Sequence, residues 1–244
     1  MTDEVRRIAM WSGPRNISTA MMRSWGNRPD TFVCDEPLYA YYLLQTGADH
    51  PGAQEVIRSQ ENDWRQVVTW LTDFRPEGKP IFYQKHMTHH LLPEVDRSWL
   101  DHVTNCFLIR DPAQVILSYL KKNPHMSLMD SGFPQQVEIF RIVRERTGGV
   151  PPVIDARDVL ESPRRVLGLL CDALGIVFTE AMLSWTPGFR ATDGVWARHW
   201  YHEVVKSTSF QPYRPRTEPI PQALATIHEQ CIACYQELYP HRLR

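Results

Sequence analysis

The chain has 244 residues and a net charge of −1, with 43% hydrophobic and 23% charged residues. That balance supplies a sizeable core and excludes a broadly basic protein built for nucleic acid or an anionic membrane surface. An anionic ligand would have to be held by local donors. No repeat, low-complexity tract or Gly/Ser linker divides the chain, which predicts a single domain over residues 1–244.

The elements read off in chain order. Arg7–Trp11 is a short apolar run that stops at Ser12-Gly13-Pro14, as a buried strand and turn would. Helical spacing follows over Ile17–Trp25, then a second strand at Thr31–Cys34 that ends on Asp35-Glu36-Pro37. Helices are predicted around Leu38–Leu44 and Asp63–Phe74, and a third strand at Ile81–Gln84 leads into Lys85-His86-Met87. Val103–Ile109 is the clearest buried strand. It is cut off by Arg110-Asp111-Pro112, where Asp111 suits a cap and Pro112 the first turn of a helix reaching Lys121. A helix over Gln135–Arg146, a strand at Pro152–Asp155 and a helix over Pro163–Leu174 stopped by Gly175 come next. Trp185–Pro219 is irregular and aromatic, and a last helix covers Ala223–Leu238.

Short apolar strands alternating with helices imply a three-layer α/β/α fold with a mostly parallel sheet. In such folds ligands bind beyond the carboxyl ends of the strands. Here those ends carry Ser12–Thr19, Asp35-Glu36, Lys85-His86 and Arg110-Asp111. Gly13 permits close backbone approach, Ser18 and Thr19 bring hydroxyls to a helix start, and the free amides there favour an anion. Arg15 adds forked donors suited to phosphate oxygens. The loop is not a Walker A sequence, since G-x-x-x-x-G-K-[ST] is missing.

Two residues compete as a general base. Glu36 needs burial to raise it from a free value of about 4.3, and His86 titrates nearer neutrality. Lys85 could offset charge on a transferring group. His86, His89, His90 and His102 raise a metal site, which no H-E-x-x-H or similar spacing supports. Cys231-x-x-Cys234 lies in a predicted helix without further ligands nearby and reads as ordinary packing. The five scattered cysteines suit a reducing compartment. The N-terminal residues lack a secretory pattern and no apolar stretch reaches transmembrane length, so a cytoplasmic protein is expected.

Pro14-Arg15-Asn16-Ile17-Ser18-Thr19 after the first strand resembles the 5′-phosphosulfate loop of the sulfotransferases, P-[KR]-S-G-[ST]-T, with Asn16-Ile17 standing in place of Ser-Gly. Phe107–Tyr119 resembles that family's second signature, a strand, then R-[DN]-P, then an apolar helix turn carrying a serine. The chain is most similar to a bacterial and plant subgroup with S-G-P-R-N-[IL]-S-T, D-E-P-L-Y and a late V-W-A-x-H-W-Y run. The resemblance implies a P-loop-like fold and 3′-phosphoadenosine 5′-phosphosulfate (PAPS) as co-substrate, with no metal. It implies that the loop from Gly13 to Thr19 holds the 5′-phosphosulfate and that Arg110 and Ser118 hold the 3′-phosphate. It also implies that Trp196, in a degenerate relative of the family's glycine-and-tryptophan loop, lies near the nucleotide, with Arg190 or Arg198 near phosphate. The acceptor would be a small molecule offering a hydroxyl or amine. A P-loop-type kinase or hydrolase, or a non-catalytic nucleotide binder, are the competing expectations, and neither nucleic acid nor membrane is an expected partner.

Overall fold

The computed structural model describes residues 5–121 and 125–244. The first half alternates strand and helix: β1 (Arg6–Ser12), α1 (Ser18–Gly26), β2 (Thr31–Asp35), α2 (Tyr39–Thr46), α3 (Ala53–Ser59), α4 (Trp64–Asp73), β3 (Ile81–Met87) and β4 (Thr104–Ile109). It continues with α5 (Pro112–Tyr119), α6 (Phe133–Thr147), β5 (Val153–Asp155), α7 (Ala156–Glu161) and α8 (Pro163–Ala173). Two short helices, α9 (Ala197–Trp200) and α10 (His202–Lys206), interrupt the segment expected to be irregular, and α11 (Ala225–Leu238) follows. The α3 helix was not among the predicted elements.

The five strands form one parallel sheet in the order β2-β3-β1-β4-β5. Alternation along the strands divides the core in two. Ile8, Met10, Ile81, Tyr83 and Leu108 point to one face, under α1, α7 and α8. Ala9, Trp11, Phe82, Phe107 and Ile109 point to the other, under α4, α6 and α11. Covered on both sides, β1 is buried from Ile8 onward, which is why it reads as an unbroken apolar run.

Local signals behave as their chemistry requires. Asp111 accepts from the Gln114 amide at 3.1 Å and Pro112 opens α5. Asp63 caps α4, and Gly175, just past α8, has φ +62°. Cys231 and Cys234 both lie in α11. Among the described residues no helix is long and apolar enough to cross a membrane.

The sheet order matters for function. The chain runs from β1 outward to β2 and β3, then crosses back to β4 on the other side of β1. Loops leaving β1 and β4 therefore diverge at a switch point, where an open α/β sheet leaves a crevice.

Candidate active site

A cleft of about 970 Å³ lies at that switch point and takes in residues from the ends of β1, β2, β3 and β4. Its floor is the loop after β1. Asn16 is buried and its Nδ2 donates to the Leu108 carbonyl at 2.6 Å, tying the loop to β4. Gln136 of α6 donates to the Trp11 and Leu108 carbonyls at 3.1 and 3.0 Å, closing the same seam. Gly13 serves a close approach, because a Cβ there would sit 2.6 Å from the Ser131 carbonyl oxygen.

Two residues of this loop have left-handed backbones, Arg15 at φ +59° and Ile17 at φ +50°, ψ +12°. Ile17 thus takes up the conformation that its glycine counterpart in the resemblance would adopt freely, in a region that strains a β-branched residue. Among the described residues no side chain caps α1, so the first amides of the helix are open to a ligand.

Above this floor the cations gather. Arg15 Nε donates to Ser118 Oγ at 3.1 Å, and Arg110 Nη1 donates to the Arg15 carbonyl at 2.7 Å. Burial, then the charge of Arg216, lowers the pKa of both guanidinium groups from the ordinary arginine value. Arg216 is brought there by Gln114 of α5, which donates to its carbonyl at 3.0 Å and accepts from its amide at 2.8 Å. Among the described residues no carboxylate makes a salt bridge with Arg15, Arg110 or Arg216. Glu203 acts against this lowering at Arg15 and Asp155 at Arg110, each without a salt bridge, so the guanidinium groups are partly desolvated and only partly neutralised, as a receptor for an anion would be.

The opposite end of the cleft has the reverse character. Asp35 and Lys85 are register partners on β2 and β3, and both are buried. Lys85 Nζ donates to Asp35 Oδ1 at 2.7 Å, to the Tyr201 oxygen at 2.9 Å and to Glu36 Oε1. Tyr201 donates to Asp35 Oδ2 at 2.6 Å and accepts from Trp196 Nε1 at 3.2 Å. Although burial opposes it, Asp35 and Glu36 hold the Lys85 ammonium well above its usual pKa. Burial raises the Glu36 carboxyl against the pull of Lys85, which moves it toward the range of a working base. Glu36 itself sits at φ +44°, so every non-glycine residue of positive φ among those described lines this cleft.

An aromatic and imidazole wall completes this end. The rings of Tyr39, Tyr42 and His90 cluster, with His90 4.6 Å from Tyr39 (4°) and 4.7 Å from Tyr42 (28°) and the two tyrosines 6.5 Å apart, while Tyr39 shares a 2.8 Å hydrogen bond with His50 Nδ1. Burial lowers the pKa of all three histidines of the wall, His89 to about 4 and His50 and His90 below the usual value, so they are neutral.

The structure gathers Pro14–Thr19, Glu36, Lys85, Arg110 and Ser118 around one cleft, with Gly13 behind the loop, and leaves His86, Trp196, Arg190 and Arg198 outside its lining. His86 follows Lys85 by one residue on β3, and strand alternation turns it to the other face. There it stacks on Trp11 at 4.4 Å and contacts Gln84 Oε1 at 3.2 Å, and burial lowers its pKa to about 3. This corrects His86 as a candidate base: it does not reach the cleft. Trp196 is corrected likewise. It is 1% exposed, lies edge-on to Tyr39 and packs over Gly194, where no Cβ would fit. Arg190 lies beside Gly26 and Arg198 pairs with Glu55, so neither joins the cations of the cleft. The separation of His86 from His89 and His90 by the sheet also removes the imidazole cluster, and among the described residues no three His, Cys, Asp or Glu side chains converge as a metal site.

Comparison with known proteins adds the lineage. The sulfotransferase domain family matches residues 6–234. Two Arabidopsis thaliana proteins, branched-chain-amino-acid aminotransferase-like proteins 2 and 1, are 33% and 34% identical over 234 residues, 96% of this chain. The chain spans 41% and 42% of the length of those relatives. The sulfotransferase domain of the Synechococcus PCC 7002 olefin synthase superposes with a TM-score of 0.59 at 22% identity, covering 100% of this chain and 98% of that one. A sulfotransferase from Alicyclobacillus acidocaldarius gives 0.57 at 11% identity, covering 98% and 97%. These superpositions show a common fold. The family match, running from β1 into the last helix, shows that this chain belongs to the sulfotransferase domain family.

Proposed function

We propose that the chain moves a sulfuryl group from PAPS to a small acceptor. The observation that carries this reading is the set of desolvated guanidinium groups of Arg15 and Arg110, without salt-bridge partners beside the uncapped start of α1. Such a set fits a nucleotide bearing charge at two separated positions.

PAPS supplies the activated sulfuryl group. In this reading Arg15, Ser18, Thr19 and the amides at the start of α1 bind the 5′-phosphosulfate, and Arg110, Ser118 and Arg216 bind the 3′-phosphate. Charge grows on the bridging oxygen as its bond to sulfur breaks, and the pre-placed donors of the loop stabilise it there. Glu36 Oε2 takes the proton of the attacking group, while Lys85, gripped by Asp35 and Tyr201, fixes Oε1 and so orients the carboxylate.

The test is calorimetric titration with 3′-phosphoadenosine 5′-phosphate (PAP), AMP and ATP with magnesium. PAP should bind at least about tenfold more tightly than AMP, because one further charge-assisted contact is worth about 1.5–3 kcal/mol. Equal affinity for PAP and AMP, or a preference for ATP with magnesium, would sink the donor assignment.

A further inference from the structure

Gln114 lies buried in the first turn of α5 and turns its whole side-chain amide toward one distant residue. Its Oε1 accepts from the Arg216 amide at 2.8 Å and its Nε2 donates to the Arg216 carbonyl at 3.0 Å. That is the pairing one strand offers another, so it fixes the direction of the Arg216 backbone as well as its distance. A carboxylate could only accept here and an aliphatic chain could do neither, whereas an amide supplies donor and acceptor in one plane.

The segment held in this way has little else to hold it. Residues 211–219 form a strap between α10 and α11 without helix or strand, and carry Pro212, Pro215 and Pro219. Among the described residues the two bonds from Gln114 are the hydrogen bonds that join this strap to the sheet and its helices, with Arg157 of α7 over the Tyr213 ring at 5.4 Å beside them. Yet residues 211–214 line the cleft, and the charge of Arg216 acts on both Arg15 and Arg110. Like charges at such a site repel, so a loosely tied strap would carry its cations outward.

The same helix sets a second arginine. Ser118 follows Gln114 by four residues and so lies on the same face of α5, and its Oγ accepts from Arg15 Nε at 3.1 Å. One stripe of α5 therefore fastens the arginine of the β1 loop and the arginine run of the strap.

We propose that Gln114 is a positioning residue for nucleotide selectivity: by pinning the Arg216 backbone to α5 it holds the Arg214-Pro215-Arg216 run at the cleft, and so gives the protein its preference for an adenine nucleotide with a second phosphate over one with a single phosphate. The inference rests on the donor reading above and adds to it a residue that touches no substrate. Without the two bonds the run swings out and its charge goes with it. Arg15, Arg110 and the start of α1 stay in place, so the 5′-phosphate is bound as before.

The test is calorimetric titration of PAP and AMP into wild type, Gln114→Met, Arg216→Ala and the double variant. Gln114→Met keeps an unbranched side chain of similar length without either hydrogen bond. It should weaken PAP about tenfold and leave AMP within about twofold of wild type, as the loss of one charge-assisted contact at the second phosphate would. Arg216→Ala should also weaken PAP selectively, and the double variant should lie within about twofold of Gln114→Met, because the second change removes a cation already displaced. If Gln114→Met does not fold, Gln114→Asn, one methylene too short to make both bonds, takes its place with the same outcomes expected. A side chain that only braced the fold would weaken both nucleotides together. Equal losses for PAP and AMP, unchanged PAP affinity in the Gln114 variant, or losses that multiply in the double variant would each overturn the inference. Wild type separates the two readings. If it shows no preference for PAP over AMP, the donor reading falls. If it prefers PAP and the Gln114 variant prefers it equally, only the positioning role is lost.

Discussion

At the β1–β4 end of the cleft Arg15 and Arg110 lie together, with the charge of Arg216 acting on both, and among the described residues none of the three makes a salt bridge with a carboxylate, whereas at the β2–β3 end Lys85 is enclosed by Asp35, Glu36 and Tyr201. The first arrangement is incomplete without an anion, and the second is complete before any ligand arrives. A group that awaits its counter-charge contributes to binding. A group already satisfied contributes to the fold and to the orientation of whatever it holds. Removing residues from the two ends should therefore give opposite signatures.

The largest effect belongs to Glu36→Gln. Turnover should fall by about 10²–10⁴-fold, the usual contribution of a positioned base, while PAP affinity stays within about twofold of wild type. A retained rate in a folded Glu36→Gln protein would move proton transfer elsewhere. Next comes Lys85→Met, which leaves Asp35 and Glu36 buried beside each other without their cation. It should destabilise the fold by about 3–5 kcal/mol in chemical denaturation, and adding Asp35→Asn should recover part of that loss. If Lys85→Met is as stable as wild type, the network is not the closed structural unit described here. Arg110→Ala gives the smallest effect. PAP binding should weaken by about 1.5–3 kcal/mol in calorimetry while the melting temperature of the free protein holds or rises, because mutual repulsion with Arg15 and Arg216 is relieved. A clear loss of stability there would mean that the arginines brace the fold and are not waiting for a ligand.

Much of this was legible in the sequence, for physical reasons that differ from region to region. Strands buried on both faces announce themselves as apolar runs, and their carboxyl ends are marked by Ser12, Asp35, Lys85 and Arg110, so the location of the cleft follows from local pattern. The β1 loop and the Arg110-Asp111-Pro112 turn are likewise local. What escaped is what depends on the chain folding back over long distances. Gln114 and Arg216 meet across 102 positions, and only the basic, proline-fixed Arg214-Pro215-Arg216 run hinted that a cation was being carried to the site. His86 and Trp196 failed for a different reason, since residue type suggested chemistry that orientation forbids. Alternation would have placed Lys85 and His86 on opposite faces, but which face holds the cleft depends on how the last third of the chain wraps. Tyr201, whose hydroxyl bridges Lys85 and Asp35, comes from that same wrapping segment.

The isoleucine at the turn of the β1 loop has a consequence for binding thermodynamics. A glycine in that place could visit both halves of the backbone map, and a nucleotide settling on the loop would have to select one conformer from many. Ile17, held left-handed at φ +50°, has few alternatives once the protein is folded. The entropy lost in shaping the loop is surrendered when the chain folds, not when the nucleotide lands, so association should proceed with little rearrangement and with heat as its main thermodynamic signature.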